Sequence, residues 1–303
     1  MRRLITGPIA IVGALVLVSL FLNLVPGDPV DIMLGEQASV VDREAMRHAV
    51  GLDQPWYGQL WTFTRELSTG ELKTSLPPFQ RKVLPQIGAA LPNTLLLTVS
   101  AMLVALLISL PLGIAAANRR GTALDNAAMG AAVAGVAIPR FWLGPMLIIV
   151  FAIKLNWLPV SGNESLVHLV LPAVTLGTAL AAFLSRMTRA AMLETMREEY
   201  VQVARAKGLP RRTVLWKHAF RNALLPIITV LGLEFGALLG GAIVTEKVFA
   251  WPGMGSLLLS GIERRDYNLV RATVLVFTLS YVLVNLLTDL VYGVVDPRVR
   301  RRA

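Results

Sequence analysis

Two charged side chains stand where charge is expensive. Arg140 falls near the middle of the apolar run Ala127–Ile153, and Glu234 near the middle of Ala223–Val244. At about 1.5 Å per residue, both sit on the order of 15 to 20 Å along their runs. A lone charge at that depth in lipid costs roughly 2.5–3.5 kcal/mol on insertion scales, so each must face a bundle interior, water or a partner. Either the two neutralise each other or a charge on a neighbouring subunit, or they serve to hold a charged solute. Asp289, Arg186 and Arg189 lie closer to the ends of apolar runs, where snorkelling and interface contacts account for them.

Other chemistry is sparse. No G-x-x-x-x-G-K-[ST] phosphate loop occurs, so the chain does not bind and hydrolyse a nucleotide by that route. His48, His168 and His218 are far apart and in or beside loops, without an H-E-x-x-H pair or a carboxylate cluster to complete a metal site. An intramembrane hydrolase needs catalytic groups within its spans, and no histidine lies deep in one. With no cysteine, disulfides and thiolate ligands are excluded. The residues point to binding and conduction, not to an enzyme.

The segment Tyr200–Asn222, YVQVARAKGLPRRTVLWKHAFRN, is a long basic stretch between apolar runs. Tyr200–Ala206 predicts a short helix, with Glu198 and Glu199 at its positive end and Lys207 at its negative end. Gly208 sits where a helix commonly closes with φ > 0, and Pro210 blocks continuation. Thr195-x-x-Glu198 also spells a capping box. A helix-turn-helix standing off the membrane follows. Its charges alone are equally consistent with a loop that only fixes topology. Ala204, Ala206 and Gly208, however, give a narrow surface that another protein can approach closely, which favours a docking element.

These elements sit in an unusually apolar chain: 55% hydrophobic residues, mean hydropathy +0.62 and 16% charged residues place it in lipid. Runs of about 20 or more apolar residues, enough to cross the hydrocarbon, occur at Leu4–Val25, Leu91–Ala117, Ala127–Ile153, Leu169–Ala190, Ala223–Val244 and Leu269–Val294. The expected fold is an all-α integral membrane protein with six transmembrane helices. The first run follows Arg2 and Arg3 but lacks a small-x-small cleavage site, so a retained span is expected. With cytoplasmic termini, the inside segments carry 17 Lys and Arg against five in the short outside segments, and the positive-inside rule selects that orientation. The net charge of +10 then reflects a basic membrane face, not nucleic-acid binding. The expected organisation is a first transmembrane helix at 1–25, an extracytoplasmic helical segment at 26–90, and a five-helix core at 91–303 that includes the loop 191–222.

The external segment predicts two helices, Ser39–Val50 ending at Gly51 and Pro55–Leu67 ending before Gly70. Trp56, Leu60, Phe63 and Leu67 share one face, suited to packing on the bundle or lying at the interface. Reception of an external partner is the functional alternative.

With these residues in place, the chain resembles the membrane-spanning permease subunits of bacterial ABC importers in the peptide and nickel class. Pro26-Gly27-Asp28-Pro29, Gly51-Leu52-Asp53-Gln54-Pro55, Val244-Thr245-Glu246 through Phe249 to Trp251-Pro252-Gly253-Met254-Gly255, and Asp296-Pro297-Arg298 carry the resemblance in order. The basic loop resembles the family's EAA motif, with Gln202 and Arg221 departing from its usual residues. The resemblance implies that Val203, Ala204, Ala206, Lys207, Gly208 and Leu209 couple to a partner ATPase. It implies a second homologous permease subunit, two cytoplasmic ATPase subunits that bind the ATP, an extracytoplasmic substrate-binding protein, and residence in the lipid of the bacterial inner membrane. This chain itself holds no cofactor or metal. Arg140 and Glu234 become candidate pathway residues that meet the two termini of a zwitterionic peptide. Nickel chelates or another small solute remain open, as does a secondary transporter working without ATPases. The latter is expected to show internal repeats or interrupted half-helices; no clear repeat is present, although Pro111, Pro139 and Pro145 can break spans. A structural scaffold has no need of the helix-turn-helix.

Overall fold

A computed structural model of the chain describes residues 2–24, 30, 34, 38–75 and 80–295. The motifs at Pro26–Pro29 and Asp296–Arg298 lie outside these residues, as does the side chain of Asp289. The described residues are helical, with a single isolated bridge between Lys73 and Lys82. They fall into two compact units, residues 1–94 with 252–283 and residues 95–251 with 284–303.

The first unit holds α1 (Arg2–Leu24), α2 (Val40–Val50) and α3 (Trp56–Thr69), then the start of α4 (Val83–Asn118). The local signals act as written. Ser39 caps α2, its hydroxyl accepting the Asp42 N–H, and Gly51 and Gly70 close α2 and α3 at φ 73° and 75°. Of the predicted apolar face of α3, Phe63 is 1% exposed, and Leu60 and Leu67 pack beside it on a core with Leu15, Leu72 and Val83. Trp56 stays outside that core and is exposed.

The second unit continues α4, an uninterrupted helix despite Pro111, into α5 (Ala123–Ala137), α6 (Arg140–Leu147) and a π-helical extension at Ile148–Lys154. Next come α7 (Val170–Thr195), α8 (Glu199–Ala206), α9 (Arg211–Thr213), a π-helical stretch at Val214–Phe220 and α10 (Arg221–Val248). Its core joins Leu97, Leu176, Leu184, Ile227, Leu238 and Trp251. Apolar burial between helices adds little in lipid, so close packing of small residues matters more. A Cβ on Gly177 would stand 2.5 Å from the Ala101 carbonyl oxygen, and one on Gly113 2.8 Å from that of Ser185. Only glycine lets α4 and α7 approach this closely. In the first unit, α11 (Met254–Glu263) begins where the Thr94 hydroxyl accepts the Met254 N–H at 2.7 Å, and α12 spans Tyr267–Val295.

Four helical stretches are long and apolar enough to cross a membrane: Val83–Asn118, Leu166–Thr195, Arg211–Gly240 and Tyr267–Thr288. A fifth crossing results if α5 and α6 with its extension count as one broken span, and Gly7–Leu22 forms a shorter apolar helix. The expected span Ala127–Ile153 is broken: the chain bends by 101° between Ala137 and Arg140. Pro139 is the cause. It drives Ile138 into an extended conformation, φ −77° and ψ 119°, and no helix continues through such a residue.

Candidate functional site

The basic segment folds into a compact helix-turn-helix. Gly208 takes φ 75°. Its N–H donates to the Arg205 carbonyl and that of Leu209 to the Ala204 carbonyl, a pair of end bonds that needs a left-handed residue between them. The capping box is corrected. Thr195 is still inside α7, its hydroxyl donating to the Ala191 carbonyl at 2.8 Å, and Glu198 occupies the cap position without a side-chain bond.

Ala204 is 5% exposed and packs with Val201 and Val214. Its small side chain lets the two arms of the motif close on each other. Ala206, Lys207 and Gly208 face outward, with Val203 at 52% and Leu209 at 39% exposure. An apolar tip is thus left uncovered on a stiff frame.

Three polar contacts make the frame stiff. The Asn222 amide donates to the Tyr200 hydroxyl at 2.9 Å and to the His218 carbonyl at 2.9 Å, tying the two arms together. Arg211 donates to the Asn118 side-chain oxygen at 2.9 Å, anchoring the motif to the end of α4. Beside the turn, a cleft of about 580 Å³ is lined by Arg120, Arg197, Arg205 and Arg211 over an apolar floor that includes Leu193 and Met196.

Arg140 and Glu234 are both half-buried. Among the described residues neither belongs to an ion pair, so the direct mutual pairing is not formed. The rise-per-residue argument for the depth of Arg140 does not survive the 101° bend, since Arg140 opens α6 immediately after the break.

A bidentate ion pair was missed from sequence. Arg189 grips Asp125 bidentately, Nε to Oδ1 at 2.6 Å and Nη2 to Oδ2 at 2.8 Å, while the Gly121 N–H donates to Oδ2 at 2.9 Å. Of snorkelling or interface contacts, expected for Arg189, snorkelling is not what is found: an acid in the first turn of α5 captures it. Asp125 in a helical first turn was the only sequence signal, and that signal names no partner. Arg186 is exposed.

The histidines take local partners, His48 with Asp53 at 3.1 Å and His168 with Glu164 at 2.9 Å. No group of three His, Cys, Asp or Glu with metal-binding geometry occurs among the described residues.

The described residues thus form an all-α chain with apolar helices long enough to cross a membrane and a basic helix-turn-helix. Residues 109–301 match the family of binding-protein-dependent transport system inner membrane components. The glutathione transport system permease protein GsiC of Escherichia coli (strain K12) is 42% identical over 285 residues, covering 94% of this chain and 93% of that protein. The GsiC protein of Pectobacterium atrosepticum is likewise 42% identical over 286 residues, with the same coverage. The fold is shared with the MetNI methionine ABC transporter in an inward facing conformation, at TM-score 0.58 and 18% identity, over 70% of this chain and 97% of that one. An amino acid ABC transporter aligns at TM-score 0.53 and 15% identity, over 71% and 94%. This chain belongs to the binding-protein-dependent inner-membrane permease family of ABC importers. It is a multi-pass transport component of the inner membrane and not an enzyme.

Proposed function

We propose that the chain forms half of the translocation pathway for peptides in an ATP-driven importer. A second homologous permease supplies the other half, two cytoplasmic ATPase subunits bind the ATP, and an extracytoplasmic binding protein delivers the substrate. The observation that carries this reading is the uncovered apolar tip of Val203, Ala206 and Leu209 on the braced helix-turn-helix. Such a tip fits an apolar groove on a partner, and its arginine-lined flank fits an acidic rim. The relatives named for glutathione transport support the peptide class.

Alternating access follows from the mechanics. Closure of the ATPases on ATP displaces the tip, and the bracing contacts through Tyr200, Asn222 and Arg211 convey that displacement to α4 and α10 without melting the motif. Ala204 contributes from inside by holding the arms together. Arg140 and Glu234, half-buried and lacking an ion-pair partner among the described residues, meet the carboxylate and ammonium termini of the passing peptide.

Uptake decides the substrate class. Cells carrying the intact importer should accumulate labelled glutathione, and excess dipeptide should compete. Accumulation of a nickel chelate with no response to peptides would replace the substrate assignment while leaving the architecture standing. Both termini and the helix-turn-helix are assigned to the cytoplasm. An impermeant thiol reagent on intact cells should therefore label Ser68→Cys and miss Thr213→Cys, and the opposite pattern inverts this orientation.

A further inference from the structure

We infer that Arg271 is the anchor of a small-anion site in the first unit, taking one halide ion. Arg271 is 2% exposed. Among the described residues its guanidinium donates from Nη2 to the Gln59 side-chain oxygen at 2.8 Å, and its Nε has no partner. Gln59 is itself buried and neutral, its amide already donating to the Gln54 carbonyl at 3.0 Å. No carboxylate lies within ion-pair distance of Arg271 among the described residues. A guanidinium keeps its charge in any protein environment, and a buried charge that faces neutral groups, the Gln59 amide and the Tyr267 side chain, is strongly unfavourable without a counter-ion.

The structure provides the space for one. A cavity of about 80 Å³ adjoins Arg271, with Gln54, Gln59, Thr62, Ser75 and Asn268 among its lining residues. That exceeds the roughly 10–15 Å³ needed to seat one water several times over. It falls well below the roughly 300 Å³ at which pockets for larger solutes begin. Glu66, half-buried, also lines the cavity and is the one internal carboxylate that competes for the role. The site does not depend on the direction or substrate of transport.

The test uses the full chain in lipid nanodiscs with its co-purifying subunits and without binding protein, replacing gluconate by chloride at constant ionic strength. Gluconate is too large for the cavity. Chloride should raise the Tm saturably by a few degrees. Glu66→Gln should keep that rise and Arg271→Gln should abolish it. A wild-type protein indifferent to chloride, or an equal rise in Arg271→Gln, overturns the site. Should Arg271→Gln fail to fold, bromide-soaked crystals of the wild type decide: an anomalous peak beside the Arg271 guanidinium is expected, and its absence overturns the proposal equally.

Discussion

The helix-turn-helix at residues 199–222 and the helical segment at residues 40–70 close their helices in the same way and present opposite surfaces. Gly51, Gly70 and Gly208 stand at φ 73°, 75° and 75°, each with open space where a side chain would go. The same pair of end bonds flanks all three. Beyond the turn the two regions diverge. In the first, Phe63 is sealed under Leu60 and Leu67 into a core. In the second, the motif buries only Val201, Ala204 and Val214 and leaves Val203 and Leu209 outside. A glycine turn therefore sets the path of the chain, whereas the neighbouring surface decides whether the helix becomes structure or contact.

The largest effect should come from the sealed region. Phe63→Ala is expected to cost about 3–5 kcal/mol, as large-to-small changes at fully buried aromatics do, and to lower the Tm of the purified protein. Val203→Ala, the matching truncation on the open surface, should stay within about 0.5 kcal/mol while reducing substrate-stimulated ATPase activity. Similar Tm losses in both would erase the contrast.

The turns themselves separate next. A β-branched residue in the left-handed region carries strain of about 1–3 kcal/mol, so Gly208→Val and Gly51→Val should lose similar stability. Only Gly208→Val should also abolish uptake and stimulated ATPase activity with the protein still in the membrane. Uptake at the wild-type level in Gly208→Val removes the coupling role.

Arg140 and Glu234 offer a smaller and more diagnostic effect. Arg140→Gln and Glu234→Gln should each lower uptake, and their coupling in a double-mutant cycle falls in the range of about 0.5–3 kcal/mol if one substrate bridges them. Expression of the double variant should remain high with poor transport. Additive, near-zero effects would make both residues bystanders.

The smallest effect concerns pH. Burial raises the Asp266 carboxyl above its ordinary value, against the N–H bonds from Ser75 and Leu269 that lower it. The folded pKa thus exceeds the unfolded one, so this group favours the folded state most at low pH, and that contribution is lost as pH rises through the raised value. Asp266→Asn keeps an oxygen acceptor for both N–H groups. It should flatten the dependence of Tm on pH across the acidic range, and an unchanged slope assigns the dependence elsewhere.

Read from sequence, the helix ends were the most legible part of the molecule. Ser39, Gly51, Gly70, Gly208 and Pro210 act through their own backbone and the nearest turn, so their meaning does not wait on the fold. Pro139 was legible as a breaker, and Pro111 read the same way yet leaves α4 continuous. The basic helix-turn-helix was likewise visible, because charge, small residues and a glycine turn fall within one short stretch.

The interior of the site was not. Whether Ala204 faces a partner or Val214 depends on how the second arm folds back, and the periodicity of one short helix does not contain that. Asp125 and Arg189 lie 64 residues apart, and Gln59 and Arg271 lie 212 apart. Local backbone preference is a property of neighbours in the chain and was determined by the sequence alone. The pairing of buried charges depends on which side chains the packed helices bring within hydrogen-bond reach, and only the tertiary structure decided it.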